Sequence, residues 1–297
     1  MNFTRRNLLA GSAAAAAALA GAVPASMALG ARPKMDGVLK LSSQLGVIPG
    51  KSLEEKIAKM EKWGFDAVEL PTDIVGKEAM YRDALKNAKL KFSAVCFGSM
   101  NGDLVSDDKS KRGPAAEKLK KVLESAGELG TTGVIYVPAF HGQTKLTNQE
   151  IRAILLDTLP AIGEHAVKVN SRVLLEPLNR KEAFFLRQLA DGASICRDSG
   201  SPGICMMGDF YHMFIEETSD LGAFISAGSL LHHVHLASRV RILPGQDERQ
   251  FVDGFLGLKW IGYRDYCSFE CGVKGNREVE IPKSMAFLRD QWAKAEL

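Results

Sequence analysis

Short β-rich runs alternate with amphipathic helical stretches from about residue 38 onward, the pattern of βαβ units in a parallel sheet. Eight runs carry the strand pattern, namely Val38–Gln44, Phe65–Leu70, Leu90–Phe97, Gly133–Ala139, Arg172–Leu178, Gly203–Phe210, Leu231–Ala237 and Tyr266–Cys271. The stretches between them have helical periodicity, as in Ala115–Leu129 and Asn148–Val167. The alternation therefore predicts a parallel α/β fold.

The gap between the first two runs shows the helix signals most clearly. Ser52 and Glu55 have the spacing of a capping box, and Ile57 and Met60 follow the apolar period of a helix. Gly64 then supplies a residue suited to a helix C-terminus. We expect a helix between Ser52 and Gly64.

Eight strands with eight crossovers predict a closed (β/α)8 TIM barrel forming one domain over residues 36–297. Barrels of this kind commonly reach this length as a single unit, and no Gly-Ser or Pro-rich linker interrupts the series. An open doubly wound sheet is the alternative, but no G-x-G-x-x-G motif follows the first run.

Residues 1–31 have the composition of a targeting segment. Arg5 and Arg6 precede an alanine-rich run, and Ser26–Ala28 offers small residues at a cleavage position. The segment predicts a twin-arginine-type signal peptide, with a Sec signal or an uncleaved anchor as alternatives. We expect a periplasmic or otherwise exported protein that has no membrane association after cleavage.

Charge and cysteine content exclude some classes of function. The formal net charge is +3 and becomes +1 without Arg5 and Arg6. The chain therefore lacks the excess of basic residues that would predict a nucleic-acid partner. The five cysteines are odd in number and lack the spacing of a disulfide framework, which favours buried thiols.

Four late strand runs end in groups that bind metal ions: Glu176, Asp209, His235 and Glu270. In a (β/α)8 barrel the working residues lie at the C-terminal ends of the strands, so these four side chains are expected to converge. Three buried carboxylates need a compensating cation, which predicts a bound divalent metal. Oxygen-rich ligands without thiolates favour Mn2+, with Co2+ or Mg2+ next and Zn2+ less favoured.

The motifs from the fifth run onward resemble a known family. They are Glu176–Glu182, Asp209–Met213, His233–His235, Arg241–Gly245 and Ile261–Tyr263 ahead of Glu270. The chain resembles the xylose-isomerase-like barrels, and within them the ketose 3-epimerases of the D-tagatose 3-epimerase type. The resemblance covers roughly Phe65 to Glu270.

This resemblance implies roles for particular residues. Glu176, Asp209, His235 and Glu270 would ligate the metal, and the two glutamates would act as acid and base on opposite faces of a sugar carbon. Glu182, His212 and Arg241 would contact the substrate. Relatives are commonly dimers or tetramers, so the resemblance also implies a homo-oligomer.

Two further residues are candidate substrate contacts, although each has a structural alternative as a hydrogen-bonding residue. Glu69 ends the second run and His141 follows the fourth. The resemblance is incomplete at Leu236–Ser238 and Gln246–Phe251, where the chain departs from the family pattern. Part of the sugar-contacting surface is therefore expected to differ.

Several functions fit these residues. The first is a metal-dependent epimerase or isomerase of an unphosphorylated keto sugar, and the second is a lyase that removes the aglycone of a 3-keto-glycoside by β-elimination. Hydroxypyruvate isomerases and inosose dehydratases share several motifs, but Glu182, six residues after Glu176, favours the epimerase branch. A non-catalytic periplasmic sugar-binding barrel is the alternative outside enzymes.

Overall fold

The computed structural model describes residues 35–297, which form a closed barrel of eight parallel strands. The strands are β1 (Lys40–Gln44), β2 (Ala67–Leu70), β3 (Lys91–Gly98), β4 (Val134–Tyr136), β5 (Val173–Leu175), β6 (Ile204–Asp209), β7 (Leu231–Leu236) and β8 (Tyr266–Phe269). Each strand pairs with the next, and β8 pairs with β1 through the register of Ser268 with Ser42. The predicted (β/α)8 barrel is thus confirmed, with strand ends that shift by up to three residues. The proposed leader at residues 1–31 lies outside the described part of the chain.

Helices connect the strands on the outside of the barrel. They are α1 (Leu53–Trp63), α2 (Glu78–Leu85), α3 (Lys109–Glu128), α4 (Asn148–Lys168), α5 (Leu189–Ser199), α6 (Phe210–Glu216), α7 (Asp220–Ala227), α8 (Val252–Trp260) and α9 (Arg277–Lys294). Short 3-10 segments lie at Met100–Val105 and Gly228–Leu230. No helix between residues 35 and 297 is long and apolar enough to span a membrane.

Helix α1 confirms the predicted ends but corrects one contact. The Ser52 side chain accepts a hydrogen bond from the Glu55 amide, and Gly64 adopts a left-handed conformation at φ +80°. The Glu55 carboxylate, however, accepts from the amide of Lys51 and not from that of Ser52. The chain before the helix therefore places a different free N–H within reach, and only half of the predicted capping box forms.

The strands separate two packing environments. Inward-facing Ala94, Ile135, Leu174, Cys205 and Met207 form a small apolar cluster on neighbouring strands, while the main core lies between strands and helices. Because side chains alternate along a strand, the residue two positions beyond each inner apolar residue also faces inward. Because of this alternation, the side chains that end the strands point toward the barrel mouth, above the small apolar cluster.

Candidate metal centre and active site

The strand ends bring the four predicted metal ligands together. Asp209 ends β6 in register with His235 on β7. The amide of Glu176 donates to Tyr136 O of β4, and that of Glu270 donates to Leu236 O of β7, which continues each strand by one residue. Ligand atoms of Glu176, Asp209, His235 and Glu270 all lie within 4.8 Å of one another.

His235 Nδ1 is the centre of this cluster. It lies 3.0 Å from Glu270 Oε2, 3.6 Å from Glu176 Oε1 and 3.9 Å from Asp209 Oδ2. The nitrogen is buried and forms no hydrogen bond of acceptable geometry with any of these oxygens. A buried nitrogen facing three carboxylates without a hydrogen bond is a group that a metal ion satisfies.

The electrostatics of the cluster favour a cation. Asp209 is fully buried and Glu176 is 6% exposed, so water screens these charges poorly. Burial, partly offset by His235, raises the pKa of Glu176. Burial alone would also raise the pKa of Glu270, but the positive charges of His235 and Arg241 outweigh it and lower that pKa to about 2. Three oxygens and one imidazole fit a hard or borderline divalent ion.

Arg241 reaches the cluster from the loop after β7. Its Nη2 donates to Glu270 Oε2, and its Nη1 lies 3.3 Å from Asp209 Oδ2. The guanidinium carbon lies 4.8 Å from the centre of the Tyr211 ring. Arg241 has φ +58°, an uncommon conformation for a residue with a side chain.

His212 is held by the segment after β5. Its Nδ1 accepts from the Asn179 backbone N–H at 3.2 Å and lies 2.7 Å from Asn179 Nδ2. The ring therefore carries its proton on Nε2, which lies 3.5 Å from Asp209 Oδ2. Asn179 Nδ2 also donates to Glu182 Oε1 at 2.9 Å. Sequence reasoning missed Asn179, although this residue lies inside the Glu176–Glu182 motif.

Glu69 belongs to a second buried group with His233 and His235. Glu69 Oε2 lies 2.9 Å from His233 Nε2, and both of its oxygens lie 3.1 Å from His235 Nε2. These are direct hydrogen bonds at ordinary length, so the Glu69 carboxylate is satisfied without an ion. A substrate-contacting role for Glu69 stays a prediction.

Gln44 is a residue that sequence reasoning missed. Its Nε2 donates to Glu69 Oε1 at 2.9 Å and to Glu270 Oε1 at 3.0 Å. Gln44 ends β1, a strand-end position like those of the predicted metal ligands, but its neutral amide has no charge that would indicate a metal site. The amide connects the two buried groups.

A cavity of about 240 Å³ adjoins the cluster on the side of β1 to β3. Its lining is Gln44, Leu45, Gly46, Glu69, Leu70, Pro71, Thr72 and Cys96. Cys96 Sγ lies 4.0 Å from Glu270 Oε1, and burial raises the pKa of this thiol. The cavity therefore adjoins the metal-ligand group through Gln44, Glu69 and Cys96, which contact Glu270 or His235.

His141 lies farther out, on an exposed loop after β4. Its Nε2 is 3.0 Å from Arg180 O, and its ring stacks on Phe184 with centroids 6.2 Å apart. These contacts fix the ring and leave one edge open to the solvent. Its predicted contact with substrate stays a prediction.

Comparisons with known proteins show which sequences this chain resembles. The sequence model of the xylose isomerase-like TIM barrel family matches residues 57–291. The 3-dehydro-D-guloside 4-epimerase of Escherichia coli K12 is 26% identical over 264 residues, which cover 84% of this chain and 99% of that protein. The L-ribulose 3-epimerase of Mesorhizobium japonicum is 28% identical over 248 residues, covering 81% and 82% respectively.

Solved structures give the same result. The apo crystal structure of 3-keto-D-glucoside 4-epimerase from E. coli superposes with a TM-score of 0.78 at 25% identity. The match covers 85% of this chain and all of that one. The barrel fold is therefore shared over the full length of that protein.

Proposed function

This chain belongs to the xylose isomerase-like TIM barrel family, and from that premise we propose that it is a divalent-metal-dependent epimerase of an unphosphorylated keto sugar. The main support for this proposal is that two carboxylates, Glu176 and Glu270, lie at one candidate cation site around His235 Nδ1. Such a pair allows a proton to leave a carbon on one face and return on the other.

A divalent ion bound by the four ligands would polarise the carbonyl oxygen and stabilise the negative charge that develops when the neighbouring proton leaves. Glu176 and Glu270 perform the proton transfer. Glu270 is oriented by two donors, Gln44 and Arg241, whereas Glu176 lies beside His235 and has a raised pKa. The two carboxylates thus differ in environment, as expected of groups that exchange acid and base roles.

Other residues would orient the sugar. His212 presents Nε2–H toward the cluster, and Arg241 adds a guanidinium beside Glu270 and Asp209. Glu182 is about one-third exposed, so it offers an acceptor for a sugar hydroxyl. Together these groups fix which carbon lies between Glu176 and Glu270.

The substrate class is supported by the relatives. One is named for a keto-glycoside and matches over 99% of its own length, and another is named for a free ketose. The cavity of about 240 Å³ beside Glu69 and Cys96 leaves room next to the site for part of a larger substrate. This observation supports a 3-keto-glycoside as a substrate, and with it the second candidate, β-elimination of the aglycone.

We also propose Mn2+ as the native ion and export through the twin-arginine-type leader at residues 1–31. The donor set of three carboxylates and one imidazole supports Mn2+, with Co2+ or Mg2+ as substitutes. Export supports an unphosphorylated substrate, because sugar phosphates are mostly cytoplasmic. Homo-oligomeric assembly, which light scattering measures, completes the proposal.

Product analysis tests the function. Purified protein with Mn2+ is incubated with a panel of free ketoses and 3-keto-glycosides, and products are identified by NMR. A new epimer supports the proposal, and a released aglycone assigns the lyase. Sugar binding without turnover of any substrate assigns the non-catalytic barrel.

A further inference from the structure

Glu69 is 1% exposed and lies at the end of β2, where its carboxylate meets two imidazoles of β7. It accepts from His233 Nε2 at 2.9 Å and from His235 Nε2 at 3.1 Å. Gln44 Nε2 adds a third donor at 2.9 Å. A buried carboxylate with three donors is well satisfied, which explains how an acid tolerates this position.

These contacts determine where each imidazole carries its proton. An ionised carboxylate only accepts hydrogen bonds, so the two Nε2 atoms that face Glu69 must both be donors. A histidine binds a metal ion as a neutral ring with one proton, and with that proton on Nε2 the Nδ1 of His235 keeps its lone pair for the ion. That lone pair faces Glu176, Asp209 and Glu270 at 3.0 to 3.9 Å.

We propose that Glu69 is a positioning residue that fixes the Nε2–H tautomer of His235, so that Nδ1 is ready to bind the metal ion. A carboxylate behind a ligating histidine also makes the ring more basic and holds its plane. The inference rests on the metal centre alone and is independent of which sugar is bound.

Gln44 extends this arrangement to a second ligand. Its one amide nitrogen donates to Glu69 Oε1 and to Glu270 Oε1, so the positioning carboxylate and a metal ligand share a donor. This contact uses the Oε1 atom of Glu270 and leaves Oε2 directed at His235 Nδ1. Glu69 therefore orients His235 directly and helps to orient Glu270 through Gln44.

The test compares Glu69→Gln with Asp265→Asn. Asp265 pairs with His232 Nδ1 at 2.7 Å, so the control makes the same acid-to-amide change beside another histidine of β7, outside the metal site. Glu69→Gln replaces one acceptor atom by a donor and removes the charge. Mn2+ affinity is measured by the EPR signal of the free ion. We expect Glu69→Gln to weaken Mn2+ binding by about 10- to 100-fold and Asp265→Asn to change it by less than about threefold.

A spectroscopic measurement on the unaltered protein tests the tautomer directly. In the Zn2+-loaded protein, which is diamagnetic, the 15N shifts of the His235 imidazole should show a proton on Nε2 and metal on Nδ1.

Two results would overturn the inference: Mn2+ affinity of a folded Glu69→Gln within about threefold of the parent, or a His235 ring that binds Zn2+ through Nε2. The NMR measurement decides the question even if the variant does not fold. Neither experiment contains a sugar, so a failure of this inference can be distinguished from a failure of the proposed epimerase activity.

Discussion

Arg241 Nη2 donates a hydrogen bond to Glu270 Oε2, the oxygen that also faces His235 Nδ1 at 3.0 Å. One carboxylate oxygen is thus shared between a guanidinium and the proposed metal-binding nitrogen. Arg241 Nη1 lies 3.3 Å from Asp209, so the guanidinium offsets charge on two ligands at once. Its position suits a group that neutralises charge at the barrel mouth and contacts the substrate.

Replacing this guanidinium should separate activity from metal affinity. Arg241→Met removes a positive charge beside two ligands, so Mn2+ should bind as tightly as in the parent or more tightly. Activity should fall by at least about 100-fold, because the charged hydrogen bonds to substrate are lost. Steady-state kinetics and Mn2+ titration check the two outcomes.

Arg239→Met is the matched control for that variant. Arg239 lies two residues earlier and pairs with the exposed carboxylate of Glu248. We expect its activity to stay within about twofold of the parent, since exposed ion pairs contribute little. Loss of metal binding in Arg241→Met would contradict the charge argument.

The two glutamates that we propose to transfer protons should fail in different ways when each is replaced. If Glu176 and Glu270 act on opposite faces, Glu176→Gln and Glu270→Gln each retain only one proton-transferring carboxylate. Epimer formation by each variant should fall by about 1,000-fold or more. Each variant should still exchange solvent deuterium into one of the two epimers. The two variants should label opposite epimers, which NMR in D2O detects. Labelling of the same epimer by both would refute the two-face arrangement.

Metal removal should lower the stability of the protein. It should also reverse the sign of the stability change caused by Glu176→Gln. Free metal at 100 times its Kd stabilises the folded protein by about 2.7 kcal/mol. Chelation therefore lowers Tm. Glu176→Gln should be less stable than the parent with Mn2+ but more stable, by about 1 kcal/mol, after chelation, because it removes a buried charge. Thermal melts of both proteins with and without chelator provide the comparison.

Stability should also depend on pH at the other end of β7. Burial alone would lower the pKa of His232, but the Asp265 hydrogen bond and charge, with Cys205, raise it to about 9. The pair therefore contributes stability below the ordinary value of 6.5, and this contribution is lost as the pH rises through 9.

Unfolding free energy measured at pH 6 and pH 10 checks this effect. The parent should lose up to about 3 kcal/mol more than His232→Gln over that interval, because each pKa unit corresponds to about 1.4 kcal/mol. Equal losses in the two proteins would show that the pair contributes nothing.

The sequence predicted the barrel and the convergence of the four candidate ligands because both follow from strand periodicity. Inward alternation on a parallel strand places its last polar residue at the barrel mouth, and this rule located Asp209, His235 and Glu270 without a structure. Strand lengths were less accurate, since β4 and β5 are three residues long and their apolar runs continue into loops.

The supporting contacts were harder to predict. Gln44 and Asn179 are neutral, so they carry no charge that would identify them as part of a metal site, and their roles depend on neighbours far apart in sequence. The sequence predicts Glu69 as a substrate contact, but its hydrogen bonds to His233 and His235 join β2 to β7, two strands that are not neighbours in the barrel. Such pairings require the closed barrel and cannot be read from one strand.

The central claim is that a divalent ion held by Glu176, Asp209, His235 and Glu270 supports proton transfer beside a sugar carbonyl. The most direct measurement is the metal content of purified protein together with deuterium uptake from D2O into free ketoses and 3-keto-glycosides. The account predicts about one equivalent of Mn2+ or another divalent ion, with uptake that stops on chelation and returns when the ion is restored. Protein that binds no metal and exchanges no deuterium would contradict it.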